Sequence, residues 1–132
     1  LVLNGEIYNS VELRERLPAG GAGLASSGDT AVLLHTLAQG GPSAVESLRG
    51  MFAFAYWDAT RRELYLARDA LGIKPLYFAR NPDRGGDWSF AFASELRALL
   101  ASGLLEAPRL DPAAVASVVW NGFTVAPRTM IA

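Results

Sequence analysis

Apolar residues at helical spacing predict helices near both ends of the chain. The helices before residue 50 are predicted to begin at Asn9, Asp29 and Pro42, which are residue types that favour helix starts. Two more helices are predicted to begin at Ser94 and Asp111, after the last predicted strand. The helix from Asp29 ends at a pair of glycines and carries leucines and a valine, so it is expected to pack against the rest of the molecule.

Alternating positions predict strands in the middle of the chain. The first, MFAFAYW, is apolar on both faces, which is typical of a central strand covered on each side. A separate strand at residues 1–3 is expected to find its partners outside the chain. Helices before and after antiparallel strands indicate the α+β class, here as one domain over residues 1–132. The predicted meander has strands at residues 51–57, 63–68, 74–79 and 88–93 and a hairpin loop at residues 81–86.

Composition narrows the classes of function. The chain has 132 residues and a net charge of -1, and it lacks a run of Lys and Arg, so nucleic acid is not expected as a partner. No apolar run is long enough to cross a bilayer, so no membrane partner and a cytoplasmic location are expected. Cysteine is absent, which excludes disulfides, thiolate metal sites and a cysteine nucleophile from these residues.

Asn4 and Gly5 form the first candidate for chemistry. A side-chain amide and a glycine N–H at the end of a strand can together hold a developing oxyanion, and glycine lets a substrate approach closely. The same dipeptide is also the commonest signal for a two-residue hairpin turn. The next residues, Glu6, Ile7 and Tyr8, lead into a predicted helix and do not form an alternating return strand. From the residues alone, the turn is weakened but both interpretations stay open.

Asp29 is the second candidate. Its carboxylate can accept the ammonium group of an amino acid, but an aspartate at a helix start is more often a plain cap, and capping is favoured here. Arg68 and Asp69 are interpreted as a structural, salt-bridged turn. His35 is the only histidine and has neither metal-ligand nor catalytic-triad partners, so it is interpreted as a helix-face residue. The three tryptophans are expected in the core or on a sheet face.

Six short segments occur in an order that is typical of one family. They are NGEIYN at residues 4–9, SSGDTAVLLH at 26–35, LRGMFAFA at 48–55, LARDALGIKPLY at 66–77, FASELRAL at 92–99 and GFTVAPRT at 122–129. Together they resemble the glutaminase domain of glutamine-hydrolysing asparagine synthetases, which are class II glutamine amidotransferases. The resemblance covers essentially the whole chain.

The resemblance implies both a fold and a site. The implied fold is the N-terminal nucleophile (Ntn) hydrolase αββα sandwich, with two antiparallel sheets between helical layers. Glutamine is the implied substrate, with Asn4 and Gly5 as the oxyanion hole, Asp29 as the acceptor of its α-amino group and Glu6 lining the same side. The family's nucleophile is an N-terminal cysteine. That cysteine and the arginine for the substrate carboxylate are expected to precede residue 1, so the isolated chain is expected to be inactive.

Further expectations concern the rest of the protein. The resemblance implies a C-terminal synthetase domain that uses ATP and Mg²⁺ to amidate aspartate, with no cofactor in the glutaminase domain itself, and a homodimer is one compatible assembly. Gly28 and Ala31 replace a serine and a glutamate of the family pattern, and loss of the glutamate is expected to loosen support around Asp29. Two alternatives stay open: a non-catalytic domain that retains the fold for binding, and an asparagine-synthetase-like tailoring enzyme with another ammonia acceptor.

Overall fold

Helices grouped before and after a run of four consecutive strands confirm the α+β class. The computed structural model describes residues 1–24, 26, 28–81, 87–105, 108–125 and 128–131. Two compact units are formed, Leu1–Tyr77 with Phe92–Glu95 and Phe78–Ala91 with Leu96–Ala132. The elements are β1 (Val2–Ile7), α1 (Ser10–Arg16), a 3₁₀ helix (Pro18–Gly21), α2 (Asp29–Gly40), a second 3₁₀ helix (Gly41–Ser47), β2 (Gly50–Asp58), β3 (Glu63–Arg68), β4 (Tyr77–Arg80), β5 (Phe90–Ala93), α3 (Leu96–Ala101) and α4 (Pro112–Asn121).

β1, β2 and β3 form an antiparallel sheet with β2 in the middle. In the β1–β2 register, Gly5 lies opposite Phe52 and Ile7 lies opposite Gly50. Asn4 and Gly5 are inside β1, so the hairpin-turn interpretation of this pair is wrong. The expectation that the first strand finds its partners outside the chain is also wrong, because β2 pairs with it along its whole length.

The four-stranded meander predicted from the alternating positions is wrong as well. β4 and β5 form a separate two-stranded sheet and are not part of the β1–β2–β3 sheet. The loop after β3 closes on itself, since the N–H of Gly72 donates to the carbonyl oxygen of Asp69 at 2.9 Å. This tight turn follows the last pair of the β2–β3 ladder, Ala53 with Arg68. Of the predicted hairpin loop, residues 82–86 lie outside the described residues.

The core of the larger unit lies between one face of this sheet and the helices α1 and α2. Every residue from Phe52 to Tyr56 is buried, which confirms the doubly apolar strand predicted for this segment. Fully burying a side chain such as Phe54 stabilises the fold by about 1.5–3 kcal/mol. The core residues are Ile7, Leu13, Val32, Leu33, Leu37, Phe52, Phe54 and Tyr56.

Asp69 is a buried polar residue that fixes the loop after β3. Its carboxylate accepts the backbone N–H groups of Phe52 at 3.3 Å, Ile73 at 2.9 Å and Lys74 at 3.0 Å. These bonds, the one from Lys74 first, hold the pKa of Asp69 below its ordinary value. Arg68 donates to carbonyl oxygens of the same loop. The structural interpretation of this pair is therefore confirmed, but the expected ion pair is wrong, because Arg68 bonds to carbonyl oxygens and the Asp69 carboxylate accepts from backbone N–H groups.

Asp69→Asn should remove a pH-dependent part of the stability. Because the folded-state pKa is below the unfolded-state value, the ionised carboxylate stabilises the fold above the ordinary pKa, and this contribution is lost as the pH falls through the folded-state pKa. The variant should unfold at lower urea concentration than the wild type at about pH 7, and the gap should close towards about pH 2. Urea unfolding curves at both values measure it. A gap that does not change with pH would contradict this assignment.

The last helix begins where the sequence predicts. Asp111 accepts the N–H groups of Ala113 at 2.9 Å and Ala114 at 3.4 Å, and its carboxylate pairs with Arg128 at 2.8 Å. Trp120, however, is 87% exposed, so the expectation that it packs in the core or on a sheet face is wrong. It lies about 120° around α4 from the buried Ala114, away from the side of the helix that carries Ala114.

The other two tryptophans lie at less exposed positions. Trp57 stands on a sheet face opposite Leu64, although it is 53% exposed, and Trp88 is half-buried. The expected sheet-face position is therefore confirmed for Trp57, and its ring is available for packing.

Candidate functional site

The outer edge of β1 is open in the part of the chain that the structure describes, where β1 pairs only with β2. The backbone of Phe52 is hydrogen-bonded on the β3 side, where its carbonyl oxygen accepts the Asp69 N–H at 2.8 Å. On the β1 side, the Tyr8 N–H donates to the carbonyl oxygen of Arg49 at 2.7 Å. Hydrogen-bonded and non-hydrogen-bonded pairs alternate along an antiparallel ladder, so Gly5 and Phe52 form a non-hydrogen-bonded pair. The backbone N–H of Gly5 therefore points to the outer edge.

Asp29 lies at the same edge of β1. Its Oδ2 accepts the backbone N–H of Ile7 at 2.8 Å. Asp29 is the first residue of α2, and its side chain makes no capping hydrogen bond to that helix, so the plain-cap interpretation is wrong. The helix N-terminus still favours a negative charge at this point. Within the described residues, only Oδ2 of the carboxylate is hydrogen-bonded, and Oδ1 is left for another donor.

Asn4 and Glu6 point to the exposed face of the sheet. They alternate with Leu3, Gly5 and Ile7, which are half-buried or buried. The N–H that donates to Asp29 belongs to the peptide bond between Glu6 and Ile7, so the Asp29 carboxylate lies next to the backbone of Glu6. The structure therefore places Asn4, Gly5 and Glu6 one after another in β1 and brings Asp29 to the backbone N–H of Ile7, the next residue of the strand.

Two glycines let β1 and β2 approach each other closely. Gly5 has a φ of 134° and Gly50 a φ of 153°, a region that favours glycine. A Cβ at Gly5 would lie 2.0 Å from the carbonyl oxygen of Met51, and a Cβ at Gly50 would lie 2.1 Å from that of Glu6. Both positions therefore require glycine for the contact between the strands. For Gly5 this is a second reason, besides the substrate approach expected from the sequence.

Sequence reasoning missed Gly50 and the true role of Asn9. The Asn9 side chain accepts the Arg49 N–H at 2.9 Å and donates to the Ser47 carbonyl at 3.0 Å, and it makes no cap bond to α1. It thereby joins the end of β1 to the segment before β2. For Gly50, a glycine placed directly before an alternating strand was an available signal of close backbone approach.

Other features of the described chain do not point to a second site. Among the described residues, no group of three or more His, Cys, Asp or Glu side chains is placed to hold a metal ion. His35 is exposed on α2, as the sequence predicts. An open groove of about 250 Å³ lies between α1, α2 and the second 3₁₀ helix, with Leu13, Thr36 and Ser47 among its lining residues, and no predicted site residue contributes to it. None of the helices within the described ranges is long and apolar enough to span a membrane.

Comparison with known proteins identifies the family. A family model described as a glutamine amidotransferase domain matches residues 1–132. The chain is 37% identical over 131 residues to asparagine synthetase (glutamine-hydrolyzing) 3 of Bacillus subtilis, a match that covers 99% of the chain and 20% of that protein. It is 48% identical over 101 residues to a putative asparagine synthetase (glutamine-hydrolyzing) of Mycobacterium tuberculosis, covering 76% of the chain and 15% of that protein.

A plant protein gives a similar result. Asparagine synthetase (glutamine-hydrolyzing) 3 of Arabidopsis thaliana is 40% identical over 99 residues, which is 75% of the chain and 16% of the plant protein. The chain thus spans between 15% and 20% of the length of these relatives, which are named as enzymes. Since the family model covers the chain from end to end, the chain belongs to the glutamine amidotransferase domain family.

Proposed function

We propose that this chain is the glutaminase domain of a glutamine-dependent asparagine synthetase. In the intact protein it would hydrolyse glutamine to glutamate and ammonia, and a synthetase domain elsewhere in the protein would use ATP and Mg²⁺ to amidate aspartate. The observation that carries the proposal is the hydrogen bond from the Ile7 N–H to Asp29, because it brings a carboxylate to the strand that holds Asn4, Gly5 and Glu6. The names of the relatives support it.

The carboxylates of Asp29 and Glu6 would recognise the α-ammonium group of glutamine. The Ile7 N–H holds one oxygen of Asp29, which fixes the orientation of the carboxylate, and the second oxygen can accept from a charged donor. A hydrogen bond to a charged group typically contributes about 1.5–3 kcal/mol. Glu6, whose side chain is exposed on the neighbouring strand position, adds a second negative charge.

The amide of Asn4 and the N–H of Gly5 would stabilise the transition state. A thiolate attacks the side-chain carbonyl carbon of glutamine, and negative charge develops on the amide oxygen. The general base returns to the nitrogen the proton that it took from the thiol, the C–N bond breaks and ammonia leaves, after which water cleaves the thioester to release glutamate and regenerate the thiol. Each oxyanion donor contributes about 2.7–4 kcal/mol to such a transition state. The chain contains no cysteine, so the thiolate must come from outside these 132 residues.

We further propose that the domain has the Ntn-hydrolase αββα sandwich fold, in which a second sheet covers the β1–β2–β3 sheet. The β1–β2–β3 sheet has α1 and α2 on one face. Its other face carries exposed apolar side chains, with Val2 66%, Trp57 53% and Leu64 39% exposed. A second sheet packed about 10 Å away would cover such a face. The cytoplasmic location and the homodimer stay predictions.

The 132-residue chain on its own should release no glutamate from glutamine, because it contains no cysteine. In the intact protein, Asn4→Ala should lower kcat for glutamate release by about 100-fold or more, since it removes one oxyanion donor. Asn121→Ala, at an exposed asparagine of α4, is the matched control and should leave kcat unchanged. Glutamate release by the pure chain that Asn4→Ala abolishes would overturn the proposal of an external nucleophile.

A further inference from the structure

The peptide unit between Glu6 and Ile7 makes a contact on each side of β1. Its carbonyl oxygen faces β2, where a Cβ at Gly50 would lie only 2.1 Å away. Its N–H faces the outer edge and donates to Oδ2 of Asp29 at 2.8 Å. A peptide unit is planar and nearly rigid, so a force that moves the oxygen also moves the N–H. The packing at Gly50 is thereby coupled to the position of Asp29.

We infer that Gly50 is a positioning residue for Asp29, acting through the Glu6–Ile7 peptide unit. The inference rests on the proposed function, in which Asp29 binds the ammonium group of glutamine. The three atoms nearest to a Cβ at Gly50 all lie in this unit or at its end: the Glu6 oxygen at 2.1 Å, the Glu6 carbonyl carbon at 3.1 Å and the Ile7 Cα at 3.2 Å. A methyl group at position 50 therefore has to displace this unit.

The surroundings of the peptide unit leave it little room except towards Asp29. The Ile7 side chain is 2% exposed in the core, and the following N–H, of Tyr8, is bonded to the Arg49 carbonyl at 2.7 Å. β2 blocks movement on the side of Gly50. The outer edge is the open direction, so displacement from Gly50 pushes the Ile7 N–H against the carboxylate it holds.

Gly5 provides an internal contrast. A Cβ at Gly5 would meet atoms of β2, the Met51 oxygen at 2.0 Å and the Phe52 Cα at 2.8 Å. Gly5 therefore controls the position of its own N–H, the proposed oxyanion donor. Gly50 controls the end of the site that receives the ammonium group.

Steady-state glutamine hydrolysis by the intact protein separates positioning from mere destabilisation. Gly50→Ala should raise KM for glutamine about tenfold or more and leave kcat of the folded enzyme within about threefold. A purely structural defect would reduce the folded fraction, which lowers apparent kcat and leaves KM unchanged. Gly23→Ala is the matched control, because a Cβ at Gly23 meets no atom within 4 Å, and both constants should match the wild type.

A double variant tests whether Gly50 acts through Asp29. If it does, adding Gly50→Ala to Asp29→Ala should raise KM no further than Asp29→Ala alone, because residues in one chain of contacts are not additive. Multiplicative increases in KM would overturn the inference.

Amide hydrogen exchange keeps the inference about Gly50 testable even if the Gly50→Ala variant does not fold. In the intact protein, Asp29→Ala should speed exchange of the Ile7 amide about tenfold or more, while the Tyr8 amide, bonded to Arg49, keeps its rate. An unchanged Ile7 rate would overturn the inference. If the wild-type protein releases no glutamate, the proposed function fails. If it does release glutamate, and Asp29→Ala raises KM while a folded Gly50→Ala does not, only the present inference fails.

Discussion

Asp29→Ala in the intact protein should raise KM for glutamine by about 10- to 100-fold and leave kcat within a few-fold. The expected size follows from a charge-assisted hydrogen bond of about 1.5–3 kcal/mol between the carboxylate and the substrate ammonium group. The carboxylate is held by the Ile7 N–H at 2.8 Å, and its other oxygen accepts no hydrogen bond within the described residues, so it can accept from the proposed substrate. Initial rates of glutamate release over a range of glutamine concentrations measure both constants.

Two further variants sharpen this experiment. Asp29→Asn keeps an oxygen acceptor for the Ile7 N–H but removes the charge, so it should retain most of the increase in KM. Asp87→Ala, at an exposed aspartate outside the site, should leave KM unchanged. If KM for glutamine is the same in Asp29→Ala and the wild type, Asp29 does not bind the ammonium group.

Gly5→Ala should lower the free energy of unfolding of the chain by about 2–5 kcal/mol, combining backbone strain at positive φ with overpacking against β2. Its φ of 134° is a conformation that side chains rarely adopt, and the added Cβ would lie 2.0 Å from the Met51 oxygen. Urea unfolding curves of the variant and the wild type give the difference. Gly23→Ala, where a Cβ meets open space, is the control and should change stability by about 0.5 kcal/mol or less.

A small effect of Gly5→Ala would mean that β1 can move away from β2 at little cost. In that case the close approach of the two strands is not needed for folding, and the glycine is retained for substrate access alone. The size of the change therefore separates two reasons for glycine at position 5.

Helix starts and the buried central strand could be predicted from the sequence because their signals are local. Asp111 precedes a proline and an apolar run, and α4 begins there. The segment from Phe52 to Tyr56 is apolar on both faces, and the structure buries all of it. Such patterns depend on neighbours within a few residues, which a sequence displays directly.

Strand pairing could not be predicted in the same way. Asn4 and Gly5 are a strong turn signal, but pairing with Ala53 and Phe52 holds them in an extended strand. Asp29 is a plausible helix cap, but its carboxylate bonds to Ile7, 22 residues earlier in the chain. In both cases a contact between distant segments overrides the local preference.

The candidate site, too, could be predicted from the sequence only in part. Asn4, Gly5, Glu6 and Asp29 could be proposed from the motifs; the structure places the first three in β1 and bonds Asp29 to Ile7 of the same strand. The position of Gly50 before a strand indicates a close backbone approach, but its role could not be assigned from the sequence, because that role depends on the cross-strand distance to the Glu6 oxygen. A contact of that kind becomes visible only when the register of the two strands is known.

The bond between Asp29 and β1 also bears on aggregation. An open strand edge is a template for pairing with a foreign strand, and a chain with an exposed edge risks forming intermolecular sheets. At Ile7 the backbone donor is already occupied by a carboxylate, so an incoming strand would lose a ladder bond there and meet a negative charge. The aspartate that is proposed to bind the substrate therefore also disfavours intermolecular strand pairing at the C-terminal end of β1.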